Sequence, residues 1–261
     1  MSDFLRLERD GAVLVATMNR PHTRNALTDD DVAEAFLGLC AQVNADLSVR
    51  ALVLTGAGPA FSSGGNLKTL RQTVGSGLGE PARSRAAYRD GIQRIPNALC
   101  NVEVPTIAAV NGPAYGAGND LACMCDIRIA ARTAVFAESF VRLGLIPGDG
   151  GAWLLPRVIG LSRACEMTFT GEPIDADTAL AWGLVSRVVA PDALMPAALD
   201  LAHRIAVNPS HALRLSKRLL REGQHMRLDT LLEMSAGFQA LAHHTAEHET
   251  ALADALARRF K

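Results

Sequence analysis

The sequence predicts an α/β domain with a mainly parallel sheet, on three observations. Short β-type runs at 51–55, 106–110, 127–130 and 185–189 alternate with helical patterns, the element order that layers helices on parallel strands. Two glycine clusters, Gly116-Ala117-Gly118 and Gly148-Asp149-Gly150-Gly151, each stand immediately before a helical pattern. Beyond about Pro191 the strand signals cease, which sets a core of residues 1–195 apart from a C-terminal helical region of residues 196–261.

Residues 4–8 and 13–17 alternate apolar and polar side chains around Asp10-Gly11, a pair that tolerates the positive φ of a tight hairpin turn. Thr28 is placed to cap a helix whose Val32, Ala35, Phe36, Leu39 and Val43 recur at helical spacing, running to about Asn44, with Asp29 to Asp31 at its positive end. Helical patterns at 121–125 and 153–159 follow the two glycine clusters. Residues 71–86, with Gly75, Gly77, Gly79 and Pro81, break the pattern and are expected to be mobile; an Arg-rich helical stretch bearing Arg83, Arg85, Arg89 and Arg94 follows. Three helical stretches, broken at Asn208-Pro209 and near Gly223, are expected to close the chain, packed on the core or reaching another subunit.

Composition removes several function classes. The 26 Lys plus Arg against 27 Asp plus Glu leave a formal net charge of -1, where a general nucleic-acid or anionic-membrane binder needs a basic excess. No apolar run approaches the roughly 18–20 residues of a membrane span, and no signal-peptide core follows Met1, so a cytoplasmic protein is expected. The five cysteines lie in apolar surroundings, and Cys123-Met124-Cys125 is too close for a zinc knuckle, so free thiols are expected. His244 and His248, four apart, lack a third metal partner nearby and fit a solvated helix face; Trp153 and Trp182 fit the core.

Chemistry concentrates in two loops, residues 54–68 and 110–122, which follow β-type runs and place small residues before a helix. Small residues let a ligand approach the main chain, and unpaired N–H groups at a helix start attract negative charge. Two such loops facing one another make an oxyanion hole; taken singly, each is an ordinary turn. Gly116-x-Gly118 does not extend to a dinucleotide fingerprint, because the third glycine would fall at Leu121.

The motifs resemble those of the crotonase, or enoyl-CoA hydratase/isomerase, superfamily across nearly the whole chain. They are Asn19-Arg20-Pro21 with Arg24-Asn25-Ala26-Leu27, the loop from Ala60 to Leu67, Ala109-Val110-Asn111-Gly112 with Gly116 to Gly118, Cys125-Asp126-Ile127-Arg128, Gly144-Leu145-Ile146-Pro147 with Gly150-Gly151, and residues 179–185. The resemblance implies a spiral of β-β-α units, C-terminal helices that build a homotrimer or a dimer of trimers, and an acyl-CoA thioester as substrate, with no further cofactor and no metal. It also implies that the Gly65 and Ala117 N–H groups hold the thioester oxygen, and that Arg24, Ala26, Ser63 and Lys68 contact coenzyme A.

Hydratases of this family use two glutamates. Asp120 stands at the first position, one helical step of three beyond Ala117, so its carboxylate is placed to reach the carbons next to the bound carbonyl; its alternative role is to offset the helix dipole. At the second position stands Phe140, which cannot exchange a proton and becomes a substrate contact instead. The nearest replacement acids are Glu138, on Phe140's strand face if that stretch is extended, and Asp149, one residue after the position where some family members carry an acid. Glu138 could equally form a surface or intersubunit ion pair, and Asp149 could be a turn or N-cap residue. With one glutamate missing, double-bond isomerisation is favoured over hydration of a 2-enoyl-CoA; a non-catalytic acyl-CoA- or RNA-binding role is the further alternative. The C-terminal pair Arg258-Arg259 falls where related chains carry a basic pair.

Overall fold

The structure, a computed structural model, describes residues 3–29, 31–68, 71 and 80–259. Of residues 71–86, expected to be mobile, 72–79 lie outside the described residues and 81–86 are helical. The chain opens with the hairpin β1 (Leu5–Asp10) and β2 (Val13–Met18), paired antiparallel across Asp10 and Val13 with Gly11 at φ 59° in the turn. β3 (Ala51–Gly56), β4 (Thr106–Val110), β6 (Ile127–Ala131) and β9 (Arg187–Val189) then add in parallel, giving a sheet in the order β1-β2-β3-β4-β6-β9. A second small sheet joins β5 (Ala114–Tyr115), β7 (Val135–Ala137) and β8 (Ile174–Asp175), and Ser62 bridges in parallel to Ala114 beside it. From β4 onward the successive pairs β4/β5, β6/β7 and β8/β9 each put one strand in each sheet, a spiral of β-β-α turns.

The near-continuous apolar strands are explained by burial on both faces of the large sheet. Leu14, Ala16, Met18, Leu52, Leu54, Ala108 and Val110 point into the main core, beside Phe36 and Leu39 of α1 (Val32–Ala45). Their alternate neighbours Val13, Val15, Ala51, Val53, Ile107, Ala109 and Ile129 meet α8 (Leu194–Ala206), whose Leu194, Ala198, Ala202 and Ala206 repeat every four residues. The alanines let that helix lie close against the strands. The boundary expected at 195/196 falls within this helix.

Between these elements lie α2 (Pro81–Asp90), α3 (Arg94–Cys100), α4 (Ala117–Met124), α5 (Gly151–Ile159), α6 (Leu161–Thr170) and α7 (Ala176–Trp182). α9 (Ser210–Glu222), α10 (Leu228–His243) and α11 (Ala246–Arg259) follow α8. Four helices, not the expected three, therefore close the described chain, because a further break falls at His244-Thr245. That break corrects the histidine pattern: His244 caps α10 while His248 lies on α11, and it is His243 whose Nδ1 lies 3.3 Å from His248 Nε2. Among the described residues no group of three or more His, Cys, Asp or Glu side chains is arranged to hold a metal ion.

Two further expectations are corrected. Thr28 does not cap α1, which starts at Val32 after Asp31 without a side-chain cap; the Thr28 hydroxyl instead accepts the Asn66 N–H at 2.9 Å. Trp153 is not core: it is 45% exposed, with the Arg157 guanidinium 4.0 Å above its ring and His225 beside it. All five cysteines are free, and no helix among the described residues is long and apolar enough to cross a membrane.

Candidate active site

The two glycine loops are laced together at their start. The Ser62 N–H donates to Pro113 O at 3.1 Å and the Tyr115 N–H to Ser62 O at 3.0 Å. On the other side, the Leu27 N–H donates to Gly64 O at 2.8 Å and the Ser63 N–H to Arg24 O at 2.9 Å. The residue that organises this junction is Asn25, which sequence reasoning passed over in favour of Arg24 and Ala26. Asn25 is fully buried at φ 55°, and its amide donates to the carbonyls of Ala57, Ala60 and Phe61 while accepting the Arg20 N–H. Asparagine tolerates this left-handed backbone, and its position after Arg24 was the available signal.

These bonds bring the Gly64-Gly65 turn against the start of α4. A Cβ on Gly64, at φ 72°, would lie 3.0 Å from the Ala117 N and 2.3 Å from Tyr115 O, so the Gly64-Gly65 turn abuts the start of α4. Gly118 is equally tight: a Cβ there would meet Ser62 O at 2.3 Å. α4 has no side-chain cap, and neither the Gly65 nor the Ala117 N–H donates to an internal acceptor among the described residues. A helix N-terminus with unpaired donors is a site for negative charge.

Beside these amides, three acids from three segments converge. Asp120 in α4 and Glu138 are fully buried, and Asp149 is 3% exposed. Glu138 does not extend Phe140's strand face as expected: β7 ends at Ala137, and Glu138 starts the 3-10 turn Ser139–Leu143. Its burial also rules out the surface ion pair; its Oε1 accepts the Asn119 amide at 2.6 Å. Asp149 is not the cap of α5, a place held by Gly150, but accepts the hydroxyl of Tyr88 from α2. Phe140 is half-buried, and its ring lies against Gly116, next to the Ala117 amide.

The electrostatics follow from this crowding. Burial, then the neighbouring Glu138 and Asp149, hold the Asp120 carboxyl well above the usual carboxylate range, offset in part by Gly151 at the start of α5. Glu138 is also raised by burial and by Asp149, against hydrogen bonds with Asp120 and Asn119. Asp149 is raised by burial, with the Tyr88 hydrogen bond opposing. Close carboxyls in a dry site oppose one another's ionisation, which raises Asp120 and Glu138 together. Asn119 Oδ1, both Asp120 oxygens and Glu138 Oε2 are buried with no hydrogen-bond partner of ordinary geometry among the described residues. Gly151 is forced by this crowding: a Cβ there would sit 2.1 Å from Asp120 Oδ1. The adjacent Cys123 takes no thiolate role, because burial pushes its thiol up to about 12.

The residues expected to contact coenzyme A differ in exposure. Arg24 is exposed at φ 54°, Lys68 is exposed, and Ser63 is half-buried with its hydroxyl on Thr23 O. Ala26 is buried, and its backbone N–H and C=O make no internal hydrogen bond among the described residues.

The family model for enoyl-CoA hydratase/isomerase matches residues 8–258. The chain belongs to this family, in the crotonase superfamily, and is an enzyme. It is similar to the 1,2-epoxyphenylacetyl-CoA isomerase of Escherichia coli K12, at 35% identity over 260 residues, 99% of this chain and 97% of that protein. It is also similar to the short-chain-enoyl-CoA hydratase of Clostridium acetobutylicum, 37% identical over 229 residues, 87% of this chain and 84% of that one. The crystal structure of an enoyl-CoA hydratase from Bacillus anthracis superposes with a TM-score of 0.90 at 32% identity, covering 98% of this chain and 97% of its own.

Proposed function

We propose that this enzyme binds an acyl-CoA thioester, holds the thioester oxygen between the Gly65 and Ala117 N–H groups, and shifts a double bond of the acyl chain through the enolate. Removing a proton beside the thioester moves an electron pair onto that oxygen, where preorganised amide donors are most effective. The proton taken from one carbon is returned at another, so Asp120, with Glu138 and Asp149, completes the reaction without adding water. The observation that carries this reading is the buried three-acid cluster beside two unpaired amides. The Phe140 ring supports it further, since it gives an attacking water no hydrogen-bond partner. Coenzyme A is assigned to Arg24 and Lys68 for its phosphates and to Ala26 and Ser63 for its adenine end.

Hydration is the alternative, favoured by the presence of Glu138 as a second acid beside Asp120. The two are separated by mixing the enzyme with a 3-enoyl-CoA and, separately, with crotonyl-CoA while following absorbance. Formation of the conjugated thioester from the 3-enoyl substrate, with slow or no loss of crotonyl-CoA, is expected. Rapid hydration without isomerisation would move the enzyme to the hydratase class. The intact acid cluster argues against a non-catalytic acyl-CoA- or RNA-binding role.

The same reading includes assembly into a trimer or a dimer of trimers. It is supported by α10, which has no buried residue, and by Leu228, Leu232, Leu241, Leu252 and Leu256, all exposed on α10 and α11. Isolated proteins rarely leave so many leucines open to water. Sedimentation is expected to give a trimer or hexamer, and Leu232→Glu to shift it toward smaller species; a wild-type monomer would contradict the assembly.

A further inference from the structure

We propose that Tyr88 is a positioning residue of this site: its hydroxyl holds Asp149 as the carboxylate that accepts the substrate proton, leaving the Asp120–Glu138 pair to supply one. This rests on the reading of the three acids as the proton-transfer groups. Tyr88 belongs to α2, a polar helix with no buried residue, so packing into the core does not hold the helix in place. Two hydrogen bonds dock this part of the chain onto the acid loop, from the Tyr88 hydroxyl to Asp149 and from Gln93 Nε2 to Gly148 O at 2.9 Å.

The ring also explains the glycine before the acid. A Cβ on Gly148 would lie 3.0 Å from the Tyr88 hydroxyl oxygen and 3.1 Å from Cε1, so the phenol fills the space of a side chain at 148. The acid that the family resemblance places at 148 is thereby carried one residue on, at 149, within reach of a donor. Partial desolvation of the hydroxyl end, on a residue 40% exposed overall, and then the Asp149 charge push the phenol up, so Tyr88 stays a neutral donor. The titratable groups facing Asp149 are Tyr88 from α2, Asp120 from α4 and Glu138 from the segment after β7. Among them Tyr88 is a hydroxyl donor, and a hydrogen bond to the charged form favours it. The proton balance closes. Asp149 takes the proton as the C–H bond breaks and its electron pair moves to the enolate oxygen; Asp120 delivers its own proton to the second carbon, and Asp149 returns one to the pair.

The test is the pH dependence of kcat/KM together with NMR titration of carbon-13-labelled Asp149, in the wild type and in Tyr88→Phe. Loss of the hydroxyl is expected to raise the Asp149 titration and the acid limb together by about one to two pH units, with activity recovered above the limb. Gly148→Ala, which presses a methyl group on the phenol, is expected to move both the same way, and the double variant no further than the larger single one. An unmoved Asp149 titration, or a loss in Tyr88→Phe equal at every pH, would overturn the role of Tyr88. A moved titration with an unmoved limb would overturn Asp149 as proton acceptor. Full turnover by both Asp149→Asn and Asp120→Asn would instead overturn the underlying assignment of the acids.

Discussion

Asp120→Asn is expected to lose about 10²–10⁴-fold in kcat/KM, the usual contribution of a positioned proton-transfer group, while becoming more stable than the wild type at neutral pH. The two effects share one cause. Asp120 is fully buried among Glu138 and Asp149, which hold its proton-binding affinity high. A carboxyl whose pKa is raised on folding contributes stability that is fully present below the unfolded value of about 4 and is lost as pH rises through the folded value. Asp120, Glu138 and Asp149 are all raised, so wild-type stability falls from mildly acid toward alkaline pH on their account. Asparagine keeps the shape, can donate to Glu138 and never ionises. The variant should therefore flatten this fall and gain roughly 1–3 kcal/mol at the alkaline end, the order of the desolvation penalty of an unsatisfied buried polar group. Urea unfolding across the pH range, beside turnover, checks both halves. An active Asp120→Asn, or one whose stability falls with pH as steeply as wild type, would contradict the role of the cluster.

The second large effect is expected for Gly64→Ala. The glycine sits at φ 72°, and an added Cβ would press on Tyr115 O and on the Ala117 N, at 2.3 and 3.0 Å. Backbone must move, and it moves at the junction of the two proposed donors. Turnover should fall by about 10²–10³, the cost of one lost oxyanion donor. Stability should fall by about 1–3 kcal/mol from the strained conformation. Gly11→Ala provides the comparison, since Gly11 has φ 59° but nothing within 4 Å of an added Cβ. It should lose stability and keep full kcat. Equal kinetic losses in both variants would mean that Gly64 acts through folding alone.

Much of the core was legible from the sequence because it depends on local pattern. The Asp10-Gly11 turn, the apolar runs of β3, β4 and β6, and glycines before α4 and α5 each carry their conformation in neighbouring residues. The place of Asp120 in the first turn of α4 was legible because a spacing of three along a helix is a geometric statement. Tyr88 was not, since nothing near α2 in sequence announces a hydrogen bond to Asp149, 61 residues away. Asn25 was overlooked because its partners at Ala57, Ala60 and Phe61 lie across the fold. Glu138 was placed on the wrong backbone: it shares a face with Phe140 only if the strand runs on, but β7 ends at Ala137 and the chain turns there into a 3-10 segment. Thr28 was misread for a related reason, its hydroxyl serving the Asn66 amide of the neighbouring loop rather than its own helix.

The central claim is that the Gly65 and Ala117 amides polarise one carbonyl. It is tested most directly by difference infrared spectroscopy of a thioester labelled with carbon-13 at the carbonyl, bound to the Asp120→Asn enzyme so that turnover is slow. Two donors on that oxygen predict a carbonyl stretch shifted to lower wavenumber than in water, and a smaller shift when Gly64→Ala is added. A bound carbonyl that absorbs at or above its frequency in water would contradict the account.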